Sequence, residues 1–227
     1  MPISKKVNKD FFKIWTSEMA YVLGFFAADG YITVNKRKGQ FWCIQITDQE
    51  ILENIKKVVQ SEHKISKRLP IKPNESIKYR IQIGSIEMCD DLRKLGFSER
   101  KTKSLAVPNV PDRYFSDFVR GYFDGDGNIW MGEIHKDRKR KNRYIVLKLY
   151  FTSCSLDFLR ELHTRLYFFG LTGGCIYTSK KKQFSRLQYS TTNALKLYNF
   201  MYNGLGKSEL FLRRKKNVFT KYMELRP

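Results

Sequence analysis

The stretches VLGFFAADG (22–30) and VRGYFDGDG (119–127) are two versions of one phrase. Each is a mostly apolar run with glycine at its third place and Asp-Gly at its end. Read as helices, they pose a physical problem. Thr16 or Ser17 can cap the first, and Ser116 the second. Gly30 and Gly127 fall where helices end on a left-handed residue. Asp29 and Asp126 then sit in the last turn, where the helix dipole disfavours a carboxylate by about 0.3–1 kcal/mol. Gly24 and Gly121 interrupt helix interiors at a cost of about 1 kcal/mol each relative to alanine. Ala28 and Gly125 come four places later, a small-residue spacing that lets two helix backbones approach closely. Packed on each other, the two helices would bring Asp29 and Asp126 side by side, where like charges repel. A divalent, oxygen-loving cation resolves both problems, since Mg²⁺ is bound through one or two carboxylates plus phosphate and water.

The segments downstream of the two phrases are also alike. After the first, YITVN (31–35) and FWCIQIT (41–47) alternate as strands, and DQEILENIKKVVQ (48–60) carries a helical stripe of Ile51, Leu52, Ile55, Val58 and Val59. KISKRLPI (64–71) and KYRIQIG (78–84) supply two more strands, and SIEMCDDLRKLG (85–96) a helix. After the second, the order is NIWMGEI (128–134), YIVLKLYFT (144–152), the helical LDFLRELHTRLYFFG (156–170), GCIYTS (174–179), FSRLQYS (184–190) and the helical TNALKLYNFMYNG (192–204). A period this long is a repeat of whole supersecondary units. Pro108 and Pro111 mark a linker between them. The expected organisation is a first half at 1–105, a linker at 106–115 and a second half at 116–227. Each half reads αββαββα, an α+β layer fold of antiparallel strands with helices on one face.

Composition narrows the partner. The 227 residues carry 43 Lys and Arg against 22 Asp and Glu, a net charge of +21 and a pI near 9.8. Such a charge invites a polyanion, and nucleic acid releases condensed counterions when its phosphates are neutralised. A hydrophobic fraction of 42% suffices for a real core. Cys43, Cys89, Cys154 and Cys175 form no C-x-x-C pair, so reduced thiols are expected rather than a zinc site or a disulfide framework. The N-terminus lacks an apolar signal core, and AYVLGFFAA (20–28) is too short to span a bilayer. The expectation is a protein that is not secreted and not in a membrane, placed in a cytoplasm, nucleoid or organelle.

The two phrases resemble the signature helices of the LAGLIDADG homing endonucleases, and the chain resembles a single-chain, two-motif member of that family. The resemblance implies a pseudo-twofold axis between the motif helices and a monomer with internal symmetry. It gives metal binding to Asp29 and Asp126, helped by the carbonyls of Ala28 and Gly125. It implies Mg²⁺ or Mn²⁺ as the working cofactor, with Ca²⁺ able to substitute without supporting cleavage. It places a basic residue near each site in an Arg-Lys context, which SERKTKSL (98–105) and FLRRKKNVF (211–219) match at Lys101 and Lys215. A polar residue that orients water at the end of the second strand matches Asp48, and in a looser register Ser153. Cleavage of both strands of a long, nearly palindromic DNA across its minor groove, leaving 3′ overhangs, is the implied activity. Two departures stand out. The sixth motif position is Ala27 in one copy and Asp124 in the other, and Arg120 replaces an apolar residue, where it is expected to pair with an acid at the helix interface.

A two-stranded ribbon fits the major groove, where the base edges are distinguishable. The polar strand faces are therefore the expected readout surface. In the first half these are Tyr31, Thr33, Asn35, Gln45, Lys78, Arg80 and Gln82. In the second they are Asn128, Lys148, Tyr150, Arg186, Gln188 and Ser190, with the hairpin tip HKDRKRKNR (135–143), including Arg138 and Arg140, holding phosphates. Two other functions suit the same fold: an intron RNA maturase and a non-cleaving DNA-binding regulator. Both acids are present, which favours cleavage. No intein splicing sequence flanks the repeats, so a free-standing, intron-encoded protein is the expected form.

Overall fold

The computed structural model describes residues 5–99, 104–135, 143–179, 183–205 and 210–225. The first half runs α1 (Ser17–Asp29), β1 (Gly30–Val34), β2 (Gln40–Ile46), α2 (Gln49–Val58), β3 (Ile65–Arg68), β4 (Lys78–Gly84) and α3 (Ile86–Lys94). The second runs α4 (Asp112–Asp126), β5 (Gly127–His135), β6 (Arg143–Ser153), α5 (Leu156–Phe168), β7 (Cys175–Thr178), β8 (Ser185–Ser190) and α6 (Thr191–Tyr202), then adds α7 (Arg213–Glu224). The αββαββα order is thus present twice. Each half makes one antiparallel four-stranded sheet, in the orders β1-β2-β4-β3 and β5-β6-β8-β7.

Alternation along the strands decides what each sheet buries. Ile32, Trp42, Ile44, Ile81 and Ile83 face the core in the first half, and Leu147, Leu149, Phe151, Leu187 and Tyr189 in the second. α1 is buried from Met19 to Ala27, as expected of a helix that is apolar all round. Its partner is α4, and the seam is closest at the two glycines. A Cβ on Gly24 would lie 2.0 Å from the Phe118 carbonyl oxygen, and one on Gly121 would lie 2.0 Å from that of Tyr21. The contact is reciprocal, so a pseudo-twofold axis passes between them. Only glycine permits this approach.

Local structure corrects three sequence readings. Thr16 caps α1 as expected, its side chain accepting from the Met19 N–H. α4 is not capped by Ser116. It starts earlier, at Asp112 after Pro111, within the stretch read as linker. Arg165 draws that segment onto the second half through the Pro108 and Val110 carbonyls and Asp112. Gly30 and Gly127 are extended, with φ of −90° and −84°, rather than left-handed. Their lack of a side chain has another cause. The chain enters the strand directly beneath its own helix, and a Cβ would strike the Phe26 ring at 2.1 Å or the Phe123 ring at 2.4 Å. The sequence reading ends its last helix at residue 204 and does not assign α7.

Candidate functional site at the helix seam

Because the strands start immediately after the helices, the ends of α1 and α4 stand together between the two sheets. Asp29 is half-buried and Asp126 exposed. The Asp29 Oδ2 lies 3.2 Å from where a Cβ on Gly125 would stand, and that Cβ would meet the Ala28 methyl at 2.3 Å. The small residues therefore let the second helix end approach the first carboxylate. Both carboxylates act on the same neighbours. They help hold up the pKa of the Tyr122 hydroxyl, which is raised first by burial, and both favour the charged form of Lys215.

Lys215, from the first turn of α7, is buried beneath this point. Its Nζ donates to the carbonyls of Phe123 at 2.6 Å, Asp124 at 2.7 Å and Gly127 at 2.6 Å, and lies 3.4 Å from that of Gly125. The chain itself thus supplies a positive group at the negative end of α4. Burial pushes the ammonium down to about 8, and the nearby Arg214 adds to that, while Asp124, Asp29 and Asp126 oppose it. The Gly125 carbonyl, expected as a metal ligand, is the most distant of these four.

Asp124 explains how Lys215 comes to be there. The carboxylate is fully buried, and its Oδ2 accepts from the Tyr21 hydroxyl at 2.8 Å and the Leu212 N–H at 2.9 Å. Burial raises it to about 6, with Lys215 the main opposing influence, and its Oδ1 has no hydrogen-bond partner. The bond to Tyr21 crosses the seam, and the bond to Leu212 pins the segment that leads into α7. Ala27 and Phe118 are the matching motif residues on the other side, so this network exists once. Arg120 lies beside it, buried, bonded to the Asp117 carboxylate of its own helix and to the Met201 and Leu210 carbonyls. Asp124→Asn should keep the shape but weaken the attraction to Lys215. A loss of about 1–2 kcal/mol is expected, read as a lower urea midpoint, and an unchanged midpoint would mean that the network does not hold the seam.

The other expected residues are placed unequally. Asp48 precedes α2 without capping it, and Arg214 grips its carboxylate through Nε at 3.2 Å to both oxygens and through the terminal nitrogen at 3.0 Å. Arg213 reaches Glu50 at 2.9 Å. The first turn of α7 thereby joins the second half to the first. Ser153 is buried, and its Oγ accepts from the Ser155 N–H at 3.1 Å. Counting back from each helix start, the counterpart of Asp48 is Ser155, which caps α5 and donates to the Leu105 carbonyl at 2.7 Å. Lys101, Arg138 and Arg140 lie outside the described residues.

Strand register assembles the readout faces. In the first sheet, Tyr31 stands opposite Cys43 and Cys43 opposite Gln82, while Gln45, Arg80 and Ser66 form the next row and Lys78 pairs with Arg68. Thr33 stands opposite Phe41. Asn35 falls beyond β1, and its Oδ1 accepts from the Arg37 and Gly39 N–H groups, which commits that oxygen to the hairpin turn. In the second sheet, Asn128, Tyr150 and Gln188 form one row, Trp130, Lys148 and Ser190 another, and Thr152, Arg186 and Tyr177 a third. Sequence reasoning missed Trp130, Phe41 and Arg68, while Cys43 shares their parity but is buried. Parity along the strand identifies them, but a search for polar side chains passes over the apolar ones.

The donor set suits a hard cation. The Asp29 carboxylate approaches the end of α4 that carries Gly125 and Asp126, and among the described residues no group of three or more His, Cys, Asp or Glu could hold a metal unaided. Two carboxylates completed by water and phosphate are what Mg²⁺ accepts. Among the described residues no helix is long and apolar enough to cross a membrane.

Residues 16–95 match the family model of a LAGLIDADG-like domain. Among solved structures, the chain is similar to I-SmaMI bound to uncleaved DNA target in the presence of calcium ions, with 13% identity over 93% of this chain and 90% of that one, at a TM-score of 0.60. It is similar to the I-LtrWI LAGLIDADG homing endonuclease bound to target DNA, with 13% identity over 96% and 92% of the two chains, at 0.59. It is also similar to the LAGLIDADG meganuclease I-AabMI bound to uncleaved DNA, with 16% identity over 90% and 88%, at 0.58. At these identities the likeness establishes the fold of the whole chain.

Proposed function

We propose that this chain, which carries a LAGLIDADG-like domain in its first half and the two-repeat LAGLIDADG fold along its length, is a site-specific double-strand DNA endonuclease. It works as a monomer on a long, pseudo-palindromic duplex, with Mg²⁺ or Mn²⁺ bound by Asp29 and Asp126 and by the Ala28 and Gly125 carbonyls. The product carries 3′ overhangs. One observation carries this reading: the helix ends that bear Asp29 and Asp126 come together at a close-packed, pseudo-symmetric seam, between two sheets whose outer faces bear Lys, Arg, Gln and Asn.

The sheets lie along the major groove and hold the duplex with its scissile phosphates over the helix ends. A divalent cation bound there would activate a water and neutralise charge on the phosphate and the leaving oxygen. Asp29 and Asp126 supply its ligands. Lys215, its ammonium pushed down to about 8 by burial, stands ready to hold or move a proton beside the second carboxylate. Lys101 has the matching role in the first half. Asp48 orients water when Arg214 exchanges its carboxylate for a DNA phosphate. The basic surface supplies the salt-dependent part of the affinity.

The test is incubation of the purified protein with native-locus DNA and with a randomised duplex library. Linear products with 3′ overhangs are expected in Mg²⁺, none in EDTA, and binding without product in Ca²⁺. Asp48→Ala should slow cutting by about 10²-fold, the usual cost of a misplaced reacting group. Tight binding of an intron RNA with no DNA cut would overturn the endonuclease reading in favour of a maturase.

A further inference from the structure

The polar parity of β5 begins at Asn128 and then turns apolar. Trp130 and Ile134 are 41% and 39% exposed on that face, and Val146 stands opposite Gly132 between them. An exposed indole in the middle of a charged, groove-facing ribbon is out of place unless something covers it. The indole is also built in. A Cβ on Gly132 would lie 2.3 Å from Cζ2 of Trp130, so the ring lies along its own strand over a residue with no side chain. The ammonium of Lys148, its cross-strand partner, stands 5.7 Å from the ring centre. The result is a flat apolar shelf with a cation beside it, one row outward from Asn128 and Tyr150. The first sheet has no tryptophan on its corresponding strand, β1, so the two halves differ here.

The major groove displays one apolar group, the 5-methyl of thymine. We infer that Trp130, seated over Gly132 and flanked by Val146 and Ile134, is a thymine-methyl reader for the outer part of the half-site bound by the second sheet. Lys148 contributes a phosphate or acceptor contact that keeps the strand in register over the shelf. The inference rests on the endonuclease reading, and it predicts an asymmetric preference. Thymine should be favoured at a position bound by the second sheet, with no equivalent requirement in the first half.

The test uses duplexes selected by the purified protein from a randomised library, in Ca²⁺ for binding and Mg²⁺ for cutting. Each thymine of the selected site is replaced in turn by deoxyuridine, which removes the methyl and leaves the hydrogen-bonding edge. At one or two positions in the second half-site, binding should weaken about fourfold per methyl, the value of one buried carbon. Trp130→Ala should bind the thymine and deoxyuridine duplexes equally. Gly132→Ala, which displaces the ring without deleting it, should narrow the same difference. If wild type neither binds nor cuts any duplex, the endonuclease reading itself fails. If wild type cuts but is indifferent to every deoxyuridine, or if Trp130→Ala stays as sensitive as wild type, this inference fails alone.

Discussion

Replacing both Asp29 and Asp126 by asparagine is expected to lower double-strand cleavage by at least about 10³-fold while leaving the fold intact. Removing one group that stabilises developing charge typically costs about 10²–10³ in rate, and here both helix ends lose their anion. Asparagine keeps the volume, so the seam can still pack. The carboxylates lie at the ends of helix dipoles that disfavour them, and Asp126 is exposed, so the melting temperature should stay within a few degrees. Binding of the target duplex in Ca²⁺ should weaken far less than cutting, because the sheets supply most of the phosphate contacts. The single variants report on the division of labour. If each carboxylate serves one strand, each single variant should accumulate nicked circles before linear DNA. If the double variant still yields linear product at wild-type rate, the acids have been assigned wrongly and the site lies elsewhere.

How much of the fold and site is legible in the sequence depends on the range of the interaction. Strand alternation and helical periodicity are local, and they locate both αββαββα repeats to within a few residues. The seam is legible because Gly24 and Gly121 break a rule that apolar helices otherwise obey. The backbone reason for Gly30 and Gly127 is easily misread, because a left-handed cap and a ring pressed against the backbone demand the same residue. Asp124 is visible as an asymmetry, but its partners come from α1 and from the segment before α7, and no spacing rule links Tyr21 to Leu212. Lys215 is picked out by its Arg-Lys context, while its burial against four carbonyls depends on α7, a helix that the sequence reading does not assign. Asp48 is likewise found, but Arg214 lies in the other half of the chain. Ser153 rests on a looser match between the repeats. Counting from the helix starts pairs Asp48 with Ser155 instead, two residues on, and both serines are buried.

Gly24→Ala is the more severe test of the architecture, although it adds a single methyl group. Its Cβ would fall 2.0 Å from the Phe118 carbonyl oxygen and 2.9 Å from the Tyr122 nitrogen, both backbone atoms of a buried helix. A side chain could rotate away, but α4 must translate. Overpacking of this kind costs about 1–3 kcal/mol, and rigid neighbours place it at the upper end. Alanine recovers about 1 kcal/mol of helix propensity, leaving a net loss of about 2 kcal/mol. For a chain of this size that lowers the melting temperature by about 4–8 °C. Activity should fall further than stability, because the same displacement separates Asp29 from Gly125 and Asp126, and misplacement of about 1 Å costs about 10² in rate. Gly121→Ala should behave alike, since the Tyr21 carbonyl oxygen meets it at the same 2.0 Å. Gly204→Ala is the control: nothing lies within 4 Å of a Cβ there. If Gly24→Ala melts within about 1 °C of wild type, well inside the expected shift, and cuts at an undiminished rate, the helices do not touch through their backbones, and the glycine cannot be what sets the distance between the two carboxylates.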